Sequence, residues 1–370
     1  MRILVIRLRQ IGDVVFTTPA LTGLRQQFPS AHLTYLVEPA GAPVVENHPA
    51  LDALLVVPPR AHGLAGLRAE YALIRQLRQQ QFDLVIDFHG GPRASLLSWL
   101  SGAPRRIGYS VAGRSWMYTD VVPRPRELRA RHSVENQWDL LEVLGAPPPD
   151  RLRYPVIMGL DMSAVAAVAT RLDDAAVGAE HRLIVMHVSA GNPFRRWPIL
   201  SFAAVAAGLA RDCRRHRVIV TSGPSERSAA ADVIRSARAQ LAADETSRIL
   251  DCGEFSLAEL RALVDRASLY IGGDSGPMHI AATSRIPMVS LYGPTLAARS
   301  EPWRDPSLPA EAVEIQGLPC RPCEQRTCVP GDFRCLTQIT PATVLAAATR
   351  ALATTDSPGR HAGPALGSGV

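Results

Sequence analysis

The sequence predicts an α/β protein made of two doubly wound, parallel-sheet domains, and three observations predict it. Short β-branched runs alternate with longer amphipathic stretches, and the same alternation starts again in the second half. The chain has 370 residues, more than one hydrophobic core usually serves. Continuous apolar strands separated by helical stretches require a parallel sheet covered on both faces. Hydrophobic residues are 47% and charged residues 20%, enough apolar material for two cores.

In the first half, strands are expected at Ile3–Leu8, Leu33–Val37, Leu54–Val57, Leu84–Asp87 and Arg106–Gly108. Helices are expected at Ala20–Phe28, Leu67–Gln80, Arg93–Ser101 and Ser133–Leu144, the last closed by Gly145 and the prolines at 147–149. A linker, about residues 147–180, carries one helix at Met162–Arg171. The second half predicts strands at Leu183–His187, Arg217–Thr221, Arg248–Asp251, Leu269–Ile271 and Met288–Leu291. Its helices are expected at Ile199–Arg211, Glu226–Leu241, Leu257–Ala267 and Met278–Ser284. The domains are thus placed at residues 1–160 and 180–340, followed by a helix at 341–353 and a disordered Gly, Pro and Ser-rich tail at 354–370. Two such sheets bind ligands in the cleft at the carboxyl ends of their strands.

The formal net charge is +6, and all 40 basic residues are Arg, a composition bias that accompanies abundant Ala, Pro and Gly. Aromatic residues are 5%, with no basic-aromatic stripe for base stacking, which disfavours nucleic acid and leaves an anionic small molecule or lipid. The apolar start is interrupted by Arg2, Arg7 and Arg9, unlike a signal peptide, and no run approaches the roughly 18 apolar residues of a membrane span. A cytoplasmic enzyme is the expectation.

Several loops at strand ends carry groups capable of chemistry. Gly12-Asp13 follows the first strand, and Asp13 stands either at the mouth of the cleft or as a helix N-cap. A lone Gly is not the G-x-G-x-x-G fingerprint, which disfavours a dehydrogenase. Gly272-Gly273-Asp274-Ser275-Gly276-Pro277-Met278-His279 joins a strand to a helix; its glycines admit a ligand to the backbone, and free amides there favour a diphosphate. Capping by Asp274 or Ser275 is the alternative. Ser189 to Pro198, with Arg195, and Ser222 to Glu226 end two further strands. Arg can fork onto phosphate and Glu can accept from ribose hydroxyls. Cys213 and Cys252 stand alone, whereas Cys320, Cys323, Cys328 and Cys335 have spacings that suit zinc or an iron–sulfur cluster. They are read as a structural staple, by zinc or by disulfides.

Taken together, these segments resemble the bacterial heptosyltransferases of lipopolysaccharide biosynthesis, glycosyltransferase family 9. The resemblance rests on Ile11-Gly12-Asp13, Thr18-Pro19-Ala20-Leu21, Arg105-Arg106-Ile107-Gly108-Tyr109, Arg195-Arg196-Trp197-Pro198, Gly223-Pro224-Ser225-Glu226, Gly273 to His279, Tyr292-Gly293-Pro294-Thr295 and the cysteine cluster, in family order. It implies a GT-B fold, two Rossmann-like domains facing across a cleft, and inverting transfer of heptose from ADP-heptose to the Kdo-lipid A inner core. Asp13 matches the family's general base and Glu226 its ribose contact. Gly12, Asp274, Ser275, Gly276 and His279 match donor-binding positions, and Ser189 is the remaining hydroxyl of a pair usual there. Arg195 falls where relatives commonly carry a phosphate-binding Lys, a change of reach and geometry. The acceptor's carboxylates and phosphates call for cations, for which Arg60, Arg105, Arg106, Arg131 and His132 are the candidates. No Asp-x-Asp motif is visible, so no catalytic metal is expected; nor is a stable protein partner. The acceptor places the enzyme at the inner face of the inner membrane. A different donor or acceptor on the same fold, or a non-catalytic nucleotide-binding homologue, are the competing readings.

Overall fold

The computed structural model describes residues 1–59, 63–124 and 131–353. The first half supplies β1 (Arg2–Ile6), β2 (His32–Val37), β3 (Ala53–Val56), β4 (Leu84–Asp87), β5 (Arg105–Tyr109) and β6 (Asp120–Val122). The second supplies β7 (Arg182–His187), β8 (His216–Thr221), β9 (Ile249–Leu250), β10 (Leu269–Gly273), β11 (Met288–Tyr292) and β12 (Ala310–Glu314). All pairings are parallel. The strand orders are β3-β2-β1-β4-β5-β6 and β12-β11-β10-β7-β8-β9, the same doubly wound topology twice. Each has its switch point beside its first strand, β1 with β4 and β7 with β10, where such sheets bind ligands.

The strands β4, β10 and β11 are buried end to end and β1 in all but its first residue, as the apolar runs require. The edge strands β6 and β12 were not anticipated. The first has only three residues, and the second, Ala-Glu-Ala-Val-Glu, is largely solvated; neither offers the continuous apolar run of a covered strand.

The first helix spans Ile11–Gln27 and so begins well before the expected Ala20. Its residues Val14 to Leu21 are all buried, so no polar face marks its start by period. It lies between the two sheets, against the helix Gly276–Ala281 of the second half. One apolar cluster accordingly runs through both halves, including Phe16, Met278 and Trp303. A strap from the linker fastens it, with Val156 N donating to Trp303 O (3.0 Å) and Trp303 Nε1 to Tyr154 O (2.8 Å). The helix Pro341–Ala353 packs on β10, β11 and β12.

Candidate active site

The cleft between the sheets is a cavity of about 680 Å³ walled by both halves, with Gly12 and Asp13 on one side and Ser189, Arg195, Glu226, Asp274, Ser275, Gly276 and His279 on the other. The fold thus gathers nine residues that lie far apart in the sequence.

On the first-half wall, the helix N-cap is Gln10, at φ +68°, and Asp13 sits inside the first turn; it is not the cap. Its carboxylate pairs with Arg7 Nη2. Arg7 is anchored by donating from Nη1 to Phe88 O (2.5 Å), and Gln137 Nε2 donates to Asp13 O (3.3 Å). Asp13 is therefore a half-exposed carboxylate on a rigid, buried helix, oriented by a cation. Gly12 is required by a close approach: a Cβ there would meet His279 Cδ2 at 2.5 Å.

The second-half wall is built on Asp274, just past β10 and buried. Arg195 Nη1 lies 3.1 Å from its Oδ2, Thr295 Oγ1 donates to Oδ2 (2.6 Å), and His279 Nε2 is 3.6 Å from Oδ1. Burial pushes the Asp274 carboxyl up, but His279, Arg195 and Thr295 outweigh it and hold it down at about 2. Ser275 is the N-cap of the following helix but makes no side-chain capping bond. Asp274 Oδ1, Ser275 Oγ and His279 Nδ1 are all buried without a hydrogen-bond partner. Buried polar atoms are ordinarily satisfied, so three such orphans beside one cavity point to groups kept for a ligand. Glu226 lines the same cavity, its Oε1 paired with Arg196 Nη2.

Ser189 sits on the same wall but is engaged from within. Its Oγ lies 2.9 Å from His187 Nε2 and accepts from Gly223 N (2.8 Å), while His187 Nδ1 is 3.0 Å from Thr221 Oγ1. Burial lowers His187 to about 4, so this chain is neutral and works as scaffolding.

Of the residues put forward for the acceptor, Arg105, Arg106, Arg131 and His132 do not line the cleft. Arg105 and Arg106 open β5 at the amino end of the sheet, opposite the cleft; Arg105 pairs with Asp120 (3.1 Å) and Arg106 Nε donates to Met117 O (2.8 Å). Arg131 is forked onto Asp139 (2.9 and 2.6 Å). His132 is buried and uses both ring nitrogens, Nδ1 accepting from Val134 N (3.1 Å) and Nε2 meeting Glu301 O (2.9 Å). Burial lowers it to about 3, which makes it a neutral cap and interdomain tie and no cation. Arg60 lies outside the described residues. Conversely, Arg7, Thr295 and Gln325 were not singled out as site residues, because their roles depend on partners distant in sequence.

The four clustered cysteines line a separate cavity of about 440 Å³ with Phe194 and Phe333. All six cysteines are free thiols, and among the described residues no three His, Cys, Asp or Glu side chains are gathered as a metal site.

Two Rossmann-like sheets facing across a cleft, with Asp13 on one wall and Arg195, Glu226 and Asp274 on the other, have the architecture of the GT-B class of glycosyltransferase. The profile of glycosyltransferase family 9 (heptosyltransferase) matches residues 70–332, and the chain belongs to this family. It is 28% identical over 316 residues to lipopolysaccharide heptosyltransferase 3 of Escherichia coli, covering 84% of this chain and 88% of that one. Among solved structures, a family 9 glycosyltransferase from Veillonella parvula superposes with a TM-score of 0.81 at 26% identity, covering 95% of this chain and 97% of the other. The E. coli heptosyltransferase WaaC with ADP shares the fold, with a TM-score of 0.69 at 20% identity and coverage of 95% and 99%. The resemblance read from the sequence motifs is borne out at the level of family and fold.

Proposed function

We propose that this heptosyltransferase transfers heptose from ADP-heptose to the Kdo-lipid A inner core of lipopolysaccharide, with Asp13 as general base. The observation that carries the reading is the set of three unpartnered buried polar atoms, on Asp274, Ser275 and His279, in the cleft that Asp13 lines from the other side. A WaaC structure holds ADP, and the E. coli relative is a lipopolysaccharide heptosyltransferase, which supports the donor and the acceptor class.

In this mechanism Asp13 accepts the proton of an acceptor hydroxyl as that oxygen bonds to the anomeric carbon. The bond from that carbon to the diphosphate oxygen breaks on the opposite face, ADP leaves, and the configuration inverts. A positioned base contributes about 10²–10⁴-fold. Arg195, with the amides of Ser275 and Gly276, meets the charge growing on the diphosphate, and Glu226 takes the ribose hydroxyls. No cation is assigned to the chemistry; turnover retained in chelator checks this. Any zinc on the cysteine loop is structural in this reading, and metal analysis with thiol counting measures it.

Among the described residues no helix is long and apolar enough to cross a membrane. Peripheral attachment is supported by the helix Gly63–Gln79, whose Leu64, Leu67 and Tyr71 are 73%, 68% and 69% exposed along one face, with Arg68 and Arg75 beside them. Leu67→Glu with Tyr71→Glu is expected to abolish co-sedimentation with anionic vesicles.

Transfer from ADP-heptose to truncated lipopolysaccharides, wild type against Asp13→Asn, tests the whole reading. Product from wild type and a loss of at least 10²-fold in the variant is the expected result. Equal turnover by Asp13→Asn would remove the base, and ADP binding without product on any acceptor would remove the donor sugar or the enzymatic reading.

A further inference from the structure

The cysteine segment has no part in the chemistry above, yet it stands against the donor wall. Arg321 Nη2 donates to Thr295 O (2.6 Å) and to Glu314 Oε2 (2.6 Å), its Nη1 donates to Ile315 O (2.6 Å), and Cys323 N donates to Pro294 O (3.2 Å). These bonds dock the segment on the end of β12 and on the turn after β11, whose Thr295 hydroxyl holds Asp274. Pro322, Cys323, Glu324 and Gln325 therefore line the donor cleft, while the four cysteines line the cavity behind it. Phe194 is on the wall of that rear cavity, and its neighbour Arg195 is on the wall of the cleft.

One side chain links the two. Gln325 Oε1 accepts from Arg195 Nε (2.7 Å) and from Asn192 Nδ2 (2.8 Å). Asn192 in turn accepts at Oδ1 from Phe194 N (3.0 Å), starting the short turn Pro193–Arg195. Both lone pairs of one carboxamide oxygen are thus spent on the turn that carries the cation. Arg195 is then held at two corners, Nε by Gln325 and Nη1 by Asp274, and its Nη2 has no hydrogen bond among the described residues. An arginine in the place of a lysine needs this bracing, because a planar fork is useful only in one plane. Gln325 itself is at φ +57°, in the left-handed region that favours glycine, so the backbone bears some strain to present this side chain.

We propose that Gln325 is a positioning residue for the donor: the cysteine segment delivers it to Arg195, and it fixes the guanidinium plane that meets the donor's diphosphate. The proposal rests on the reading of Arg195 as the diphosphate contact. Gln325→Gly removes the carboxamide while easing the backbone, and Gln325→Glu keeps an acceptor at the same reach. Calorimetric titration of the full chain with ADP is expected to give a Kd about tenfold weaker in Gln325→Gly, the size of one hydrogen bond to a charged group. Gln325→Glu should restore it, kcat should fall less than kcat/KM, and the melting temperature should not drop. A ligand-free reading accompanies it. The Arg195 Nε–H signal in ¹⁵N-arginine-labelled protein, assigned by its loss in Arg195→Gln, should exchange slowly in wild type and in Gln325→Glu and fast in Gln325→Gly. Unchanged ADP affinity or unchanged exchange in Gln325→Gly overturns the proposal. Absence of ADP binding by wild type would instead remove the nucleotide reading, and the exchange measurement would still decide the role of Gln325.

Discussion

Asp87 and Asp274 both stand at the carboxyl end of the strand beside a half's first strand, Asp87 as the last residue of β4 and Asp274 one residue past β10. Both are fully buried carboxyls, but their surroundings differ. Asp87 Oδ1 accepts from His89 N (2.8 Å) and Gly90 N (2.9 Å), and its Oδ2 from Tyr118 Oη (2.6 Å). Every bond is local or within its own half, no cation forms an ion pair with it among the described residues, and burial raises its pKa despite these donors and the field of Arg7. Asp274 has Arg195 and His279 beside it, keeps one oxygen without a hydrogen bond, and is held at about 2. Carboxylates at the ends of equivalent strands thus close a loop in the first half and line the cleft in the second. What differs is the company: Tyr118 and two amides in the first case, Arg195 and His279 in the second. An ionised Asp274 can orient the Arg195 guanidinium and the His279 ring at the cleft, whereas Asp87 is spent on two backbone amides and the Tyr118 hydroxyl.

The contrast is open to test. The largest effect is expected from Asp274→Asn, which releases Arg195 and His279; kcat/KM in the transfer assay should fall about 10²–10³-fold, the range for losing one preorganised electrostatic group. Because the folded Asp274 pKa lies below the free value of 3.8, its stabilisation is complete above about pH 4 and is lost as pH falls toward 2. Acid unfolding of wild type and Asp274→Asn should converge in that window. Asp87 has the opposite sign: its raised pKa means ionisation costs stability, so its contribution is greatest below 3.8 and declines as pH rises through the folded value.

Asp87→Ala is expected to leave buried donors unmet and to destabilise by about 1–3 kcal/mol in urea unfolding, with the donor KM unchanged. A shift in KM would show that the two acids are not functionally separate. Gly12→Ala should push His279 from its place and reduce kcat/KM about tenfold, a cost of about 1.4 kcal/mol, because the added Cβ falls on the imidazole. The smallest effect belongs to Arg105→Ala. Its pair with Asp120 is exposed and screened, worth about 0–1 kcal/mol at most, and acceptor KM and its salt dependence should not change.

The sequence alone determined the alternation of strands and helices, the repeat of that pattern in the second half, and the two strings that end at Asp13 and His279. Apolar runs and glycines at strand ends are local signals, since they answer to backbone sterics and burial within a few residues. The start of the Ile11–Gln27 helix escaped because burial on all sides erases the period that marks a helix. The strands β6 and β12 escaped because edge strands are short and partly solvated. Only the tertiary structure decided which cations face the cleft. Arg105, Arg131 and Arg195 are alike in sequence, but the first two are spent on Asp120 and Asp139, and the third stands between Asp274 and Gln325. Charge declares itself in composition, whereas its availability depends on partners that folding brings from far along the chain, as Gln325 is brought across 130 residues to Arg195.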